Sequence, residues 1–172
     1  MKDQLRHYKN IWTMRFTDKD GNVLFEESGP NNLTQLGQAW IMQTAFQKAF
    51  VNDRLFIRLA NQTFSVTDTI LSVTTEPVGN GYVAKEIERD NVIGFPNEPS
   101  IVDFYSVLIS KSVEWTATGG GIGPINVAFL ATSDGVIIPD SSGTLLAYKE
   151  LPVTQTILAG NTGTIYMQIT LA

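Results

Sequence analysis

The sequence predicts a mainly β fold: a β-sandwich or jelly-roll-like domain with one α-helix behind an N-terminal β-hairpin. Short apolar runs broken by Gly, Pro and Asn recur about every ten to fifteen residues, which is typical of sandwiches. Only residues 31–50 repeat apolar side chains at spacings of three and four, as a helix does. We expect the hairpin and helix (1–52) to pack on, or dock, a sandwich formed by residues 53–172.

The hairpin is predicted around an acidic turn. Residues 8–17 alternate aromatic or apolar side chains with polar ones, and Asp20-Gly21 separates them from the apolar run 23–25. Asp-Gly favours such a turn because both residues tolerate positive φ. The segment 18–22 is also similar to part of a calcium-binding loop, but Gly21 stands fourth in it rather than sixth. We therefore interpret it as a turn.

The helix is expected to be capped by Asn31 or Asn32 and to lie on the sheet. Short polar side chains accept hydrogen bonds from the first turn of a helix. Gly37 in the interior would cost about 1 kcal/mol, so we expect something to pack closely there. We also expect Trp40 and Phe46 to be buried on one shared face of the helix.

The sequence predicts that the remaining chain consists of strands and one long connection. Residues 61–78 are predicted to be that connection, with one helical turn near 68–71. A turn at Gly79-Asn80-Gly81 and two polar turns around 136–138 separate other elements. The strands are predicted at residues 55–60, 82–89, 104–115, 125–130, 144–148, 153–158 and 164–171.

No catalytic or cofactor-binding pattern stands out, so we expect no enzymatic activity, no cofactor and no metal. His7 is the only histidine and there is no cysteine, which argues against a catalytic triad or a zinc site. Glu86 and Glu88 share one strand face and could bind a cation, but a solvated face is the simpler interpretation. Residues 118–124 lack the Lys-Ser/Thr of a phosphate loop and indicate a flexible turn.

Charge and hydropathy exclude two classes of partner. The net charge of −5 argues against nucleic-acid binding, which depends on neutralising phosphates with Lys and Arg. No apolar run reaches 18 residues, so we expect no membrane insertion, and we see no signal peptide.

Five aromatic residues are candidates for the core or for an interface with another protein. Large aromatic side chains dominate the energetics of cores and interfaces. An exposed sugar-stacking surface is the alternative for the tyrosine and the tryptophans. The five candidates are Tyr8, Trp12, Trp40, Phe46 and Trp115.

Four stretches together resemble a known group of proteins. They are residues 12–40, 75–96, 116–135 and 143–171. The most specific parts are the pattern EPxGNGYxxxxxxR at Glu76–Arg89 and the pattern LLAYxxLPVTQTI at Leu145–Ile157. In this order the stretches resemble virion structural proteins of tailed bacteriophages, variously described as tail-fibre, minor structural or capsid decoration proteins.

The resemblance implies a β-sandwich protomer that assembles into homotrimers or larger symmetric complexes and is incorporated into a virion. On this basis we expect a protein made in the host cytoplasm that decorates the capsid as a cement and bridges major capsid subunits. The alternative is a tail fibre or tail-tip component that contacts other virion proteins and a host receptor. A cellular carbohydrate-binding sandwich is a third interpretation.

Overall fold

The computed structural model describes residues 8–47, 54–87, 100–102, 105–133 and 143–171. Within them the chain is mainly β, with two antiparallel sheets and one α-helix after an N-terminal hairpin, which confirms the predicted sandwich-like fold. The helix is α1 (Gln35–Gln47), and a short 3₁₀ turn covers Ile70–Ser72. The strands are β1 (Tyr8–Thr17), β2 (Val23–Pro30), β3 (Asn32–Leu33), β4 (Arg54–Ala60), β5 (Lys85–Ile87), β6 (Ser100–Val102), β7 (Tyr105–Ile109), β8 (Val113–Thr116), β9 (Ile122–Ser133), β10 (Leu145–Ile157) and β11 (Thr162–Leu171).

The first sheet, sheet A, has the strand order β2-β1-β11-β7-β6, and β8 pairs with the other half of β11. β1 pairs with β11 along its whole length, from Tyr8 opposite Leu171 to Thr17 opposite Thr162. The hairpin and the C-terminal strand therefore share one sheet. The division into units of residues 1–52 and 53–172 stays a prediction.

The second sheet, sheet B, has the strand order β3-β10-β9-β4-β5. Two of its strands are buried on both faces over much of their length, because residues 55–60 of β4 and 127–132 of β9 are buried without alternation. Such continuous burial requires a layer on each side of the sheet. The inner layer is sheet A, and the outer layer is the connection of residues 61–75.

The main core lies between the two sheets. Trp12, Met14 and Trp115 of sheet A belong to the same buried cluster as Ile57, Leu59 and other side chains of sheet B. A second cluster covers the opposite face of sheet B, where Phe64 and Ile70 pack against Phe129 and its neighbours. The predicted long connection with one helical turn is thus confirmed. It covers this second cluster on the outer face of sheet B.

One predicted strand is two strands in the structure. The run 104–115 was expected to be continuous, but β7 and β8 are separated at Ser110 and pair with different halves of β11. Ser110 donates its N–H to the Met167 carbonyl at 2.8 Å, and its hydroxyl accepts the Met167 N–H at 2.9 Å. A side chain that bonds to the neighbouring strand's main chain replaces the regular ladder at this point.

The helix begins later than predicted, and its cap is Thr34. Asn32 lies in β3, opposite Tyr148, so it is not a cap. The Thr34 hydroxyl accepts the N–H of Gly37 at 2.9 Å and donates to the Leu145 carbonyl at 2.5 Å. One side chain therefore both caps α1 and fastens it to β10. Residues 48–50 of the predicted helix lie outside the described residues.

In the described part of the chain, no helix has the length and apolar character needed to cross a membrane.

Candidate functional site: contact surfaces at the sandwich edges

The four aromatic candidates whose side chains are described occupy three kinds of environment. Trp12 and Trp115 are fully buried in the main core. Trp40 is half-buried and packs against that core from α1. Phe46 is 84 % exposed, so the expectation that it buries beside Trp40 is wrong. Tyr8 lies on β1, and its side chain is outside the described part.

Helical geometry explains the error at Phe46. A helix advances about 100° per residue, so Trp40 and Phe46, six positions apart, point about 120° away from each other. The buried side of α1 instead carries Trp40, Gly37 and the half-buried Thr44. The spacing of these three residues in the sequence could have identified that side.

The motif at residues 76–82 binds its loop to β4 through buried hydrogen bonds. Arg58 of β4 places Nε and Nη2 each 2.7 Å from a carboxylate oxygen of Glu76, and both side chains are almost fully buried. The hydroxyl of Tyr82 donates to Glu76 at 3.1 Å and accepts the Leu59 N–H at 2.8 Å. A bidentate, hydrogen-bonded arrangement of this kind is how a buried charge is tolerated.

The same motif joins the two sheets. The Tyr82 ring stacks on Trp115 of β8, with ring centroids 6.4 Å apart, and the Trp115 indole N–H donates to the Val83 carbonyl at 2.7 Å. Gly81 has φ +89°, and a Cβ there would lie 2.6 Å from the Thr116 carbonyl. The glycine therefore allows the turn to approach β8 closely enough for the stack to form.

The glycine-rich segment after β8 packs on this turn. Asn80, whose φ is +53°, donates its side-chain amide to the Gly121 carbonyl at 2.8 Å. Its own carbonyl accepts the N–H of Thr118 at 2.9 Å. The two loops that seemed independent in sequence thus form one closed end of the sandwich.

Two of the acidic residues singled out by sequence, Asp18 and Glu86, have partners within the protein. Glu86 pairs with Arg54, which lowers the pKa of the Glu86 carboxyl. Hydrogen bonds from Asn22 and from the turn's backbone lower the pKa of Asp18. Glu88 and His7 lie outside the described residues. Among the described residues, no three His, Asp or Glu side chains are grouped so as to hold a metal ion.

The exposed side of α1 is the surface that sequence reasoning missed. The helix QLGQAWIMQTAFQ contains no charged residue, whereas the solvent face of a surface helix usually carries several. Met42 is 62 % exposed and Phe46 84 %. The absence of charge is visible in the sequence and could have indicated this surface.

A second group of exposed apolar side chains lies at the other edge of sheet B. Val78 is 89 % exposed and Val83 48 %, both in the loop that precedes β5. α1 contacts β10, next to β3 at one edge of that sheet, whereas the two valines lie in the loop that leads to β5 at the other edge. Exposed large apolar side chains, when grouped, commonly indicate protein-contact surfaces.

Comparison of the chain with protein-family models, with curated proteins and with solved structures gave no match in any of the three.

Proposed function

We propose that this chain is a non-enzymatic structural protein of a tailed-phage virion, which decorates the capsid as a homotrimer and bridges major capsid subunits. The proposal starts from the sequence resemblance described above. The observation that carries it further is the placement of exposed apolar side chains at two opposite edges of sheet B. A protein that joins neighbouring subunits needs contact surfaces on at least two sides.

The buried hydrogen bonds between the 76–82 loop and β4 support the same proposal. The residues of the pattern at Glu76–Arg89 that the structure describes hold the fold together: Glu76 and Tyr82 bind Arg58 and Leu59. A rigid protomer loses little conformational entropy when it binds, so more of its contact energy stabilises the assembly. Binding to the assembled shell then stabilises that shell by mass action.

A tail fibre or tail-tip component that contacts a host receptor is the second candidate. Trp12 and Trp115 lie in the core and so do not supply a sugar-stacking surface. A receptor contact would therefore use the exposed apolar side chains at the two edges. The same surfaces could bind the capsid or a host receptor, so an experiment must distinguish a capsid protein from a tail protein.

Co-sedimentation separates these candidates. Purified protein is mixed with tail-free capsids that lack it, with isolated tails and with host cells. We expect saturable binding to capsids alone, with a stoichiometry fixed by the capsid lattice. Binding to tails or cells with none to capsids would replace the first candidate with the second. Binding to none of the three would overturn both.

A matched pair of variants tests which edge contacts the capsid. Val78→Lys places a charge on the most exposed apolar side chain of the β5 edge and should weaken capsid binding. Thr154→Lys adds the same charge at another exposed position, on β10, and should not. Equal binding by both variants would exclude the β5 edge as a capsid contact.

A further inference from the structure

We infer that the exposed side of α1 is the surface through which copies of this chain associate with one another. The surface consists of Ala39, Met42 and Phe46, called here the helix seam. The inference rests on the proposed function for the expectation of a symmetrical assembly, and it assigns a surface to that assembly.

The geometry of the helix places the seam away from its own sheet. Gly37 and Trp40 face inward: a Cβ on Gly37 would lie 2.0 Å from the Leu146 carbonyl, and Trp40 packs on the main core. At about 100° per residue, Met42 and Phe46 lie on the opposite side. All three seam residues are exposed, so no packing among the described residues covers the seam.

The spacing of the seam is that of helices that pack along one another. Ala39, Met42 and Phe46 are three and four residues apart, which is the spacing of the apolar positions in a coiled-coil seam. A seam of this kind fits another helix with the same spacing. The helix α1 of a second copy supplies one by symmetry.

The charges favour a second copy over an unlike partner. The chain carries a net charge of −5, so two copies repel each other at long range, and a contact surface without charges adds no close like-charge pairs to this repulsion. α1 offers such a place, because no residue from Gln35 to Gln47 is charged. A basic or an acidic partner would gain nothing from this face, whereas identical neutral faces meet without like-charge repulsion.

The size of the seam sets the expected strength of association. A helix of 13 residues is about 20 Å long. Val66, whose carbonyl accepts the Gln35 N–H at 2.8 Å, adds a 45 % exposed side chain beside its first turn. Contact over such a length buries less than the roughly 800 Å² per partner of a standard interface. We therefore expect association at micromolar concentration.

The test measures the mass of the full chain in solution by size-exclusion chromatography with light scattering. The wild-type protein should have a mass that is a multiple of the chain mass at micromolar concentration. Phe46→Lys and Met42→Lys should each reduce the association constant at least about tenfold, as expected when a large interface side chain is replaced. Phe46→Leu should retain association.

Val78→Lys is the matched control. It also places a lysine on a highly exposed apolar position, but at the opposite edge of sheet B, so its mass should equal that of the wild type. Far-UV circular dichroism checks that each variant is folded. A monomeric wild type would overturn the inference, as would Phe46→Lys and Met42→Lys variants that keep the wild-type mass, or a Val78→Lys variant that dissociates equally.

The failure of this inference is distinguishable from failure of the proposed function. If the seam is wrong, the lysine variants keep their mass, whatever the capsids bind. If the function is wrong, the lysine variants dissociate while neither they nor the wild type sediment with capsids. The wild-type mass gives the number of copies, which is three in the proposed function. The inference that copies associate through the helix seam does not depend on that number.

Discussion

At the scale of single residues, the buried arginine of β4 determines how the end of the sandwich closes. Arg58 faces the Phe129 ring across the strand pair, with its guanidinium 5.3 Å from the ring centroid. Glu76 neutralises it with two hydrogen bonds. Because the carboxylate comes from the loop before Tyr82, the same ion pair fixes where the tyrosine ring enters the core.

Removing the Glu76 charge should destabilise the fold strongly. Glu76→Gln keeps the shape but removes the carboxylate that faces a buried guanidinium, and such losses cost about 3–5 kcal/mol. Glu26→Gln is the matched control, because the Arg15–Glu26 pair is exposed and should contribute about 0–1 kcal/mol. Urea denaturation measures both. Equal losses in the two variants would contradict a structural role for the buried pair.

Tyr82 should make the fold sensitive to alkaline pH. Burial, and then the negative charge of Glu76, raise the pKa of Tyr82 well above its ordinary value of 10.0. The unfolded chain therefore releases this proton at lower pH than the folded chain, so the free energy of unfolding falls as pH rises above about 10. Below that pH the contribution is fully present.

The check compares urea midpoints at about pH 8 and about pH 11. The wild type should lose more stability between the two than Tyr82→Phe, which has no phenolic proton to release. Tyr82→Phe should also be less stable at the lower pH, because it loses the bonds to Leu59 and Glu76. Equal declines in the two proteins would show that Tyr82 does not titrate with unfolding.

At the scale of elements, the sequence correctly predicted the strands and turns that depend on residues close together in the chain. The apolar runs of β4 and β11 and the Asp-Gly hairpin were assigned correctly, because alternation and turn chemistry act over a few positions. The start of α1 was predicted wrongly, because Asn32 pairs with Tyr148 of a distant strand. Local preference for a cap was overridden by a strand contact that no local pattern shows.

The candidate site was predicted less well than the fold, because its contacts are long-range. The bonds of Arg58 to Glu76 and of Trp115 to Val83 join residues far apart in the chain. Glu76 was singled out only as part of a sequence pattern, and nothing near it in the chain indicates Arg58 as its partner. On the helix, Trp40 and Phe46 were assigned to one face from apolar spacing, although they lie on two different sides.

Gly37 gives a test of how α1 is seated. In an exposed helix, replacing glycine by alanine stabilises by about 1 kcal/mol. Here the added methyl group would lie 2.0 Å from the Leu146 carbonyl oxygen, so Gly37→Ala should destabilise by about 1–3 kcal/mol as the helix is displaced. Gln43→Ala, at an exposed position of the same helix, should change stability by less than about 0.5 kcal/mol. Thermal unfolding measures both, and a stabilising Gly37→Ala would contradict this seating.

At the scale of the whole molecule, α1 has two roles that its composition reconciles. Its inner side packs on β10 beside β3, the edge strand of sheet B, and an uncovered edge would be open to pairing with other chains. Its outer side replaces that edge with an uncharged apolar face. In the association that we propose, copies therefore meet through one defined helix surface and not by unspecific strand pairing.

Salt should strengthen the association that we propose for the helix seam. Copies with a net charge of −5 repel one another, and this repulsion is screened as the Debye length falls from about 30 Å at 0.01 M salt to about 8 Å at 0.15 M. The seam itself has no charges to be screened. The association constant should therefore rise between these two salt concentrations, as measured by sedimentation equilibrium, while Phe46→Lys stays monomeric in both. An association constant that falls with salt would mean that ion pairs, and not the apolar seam, hold the copies together.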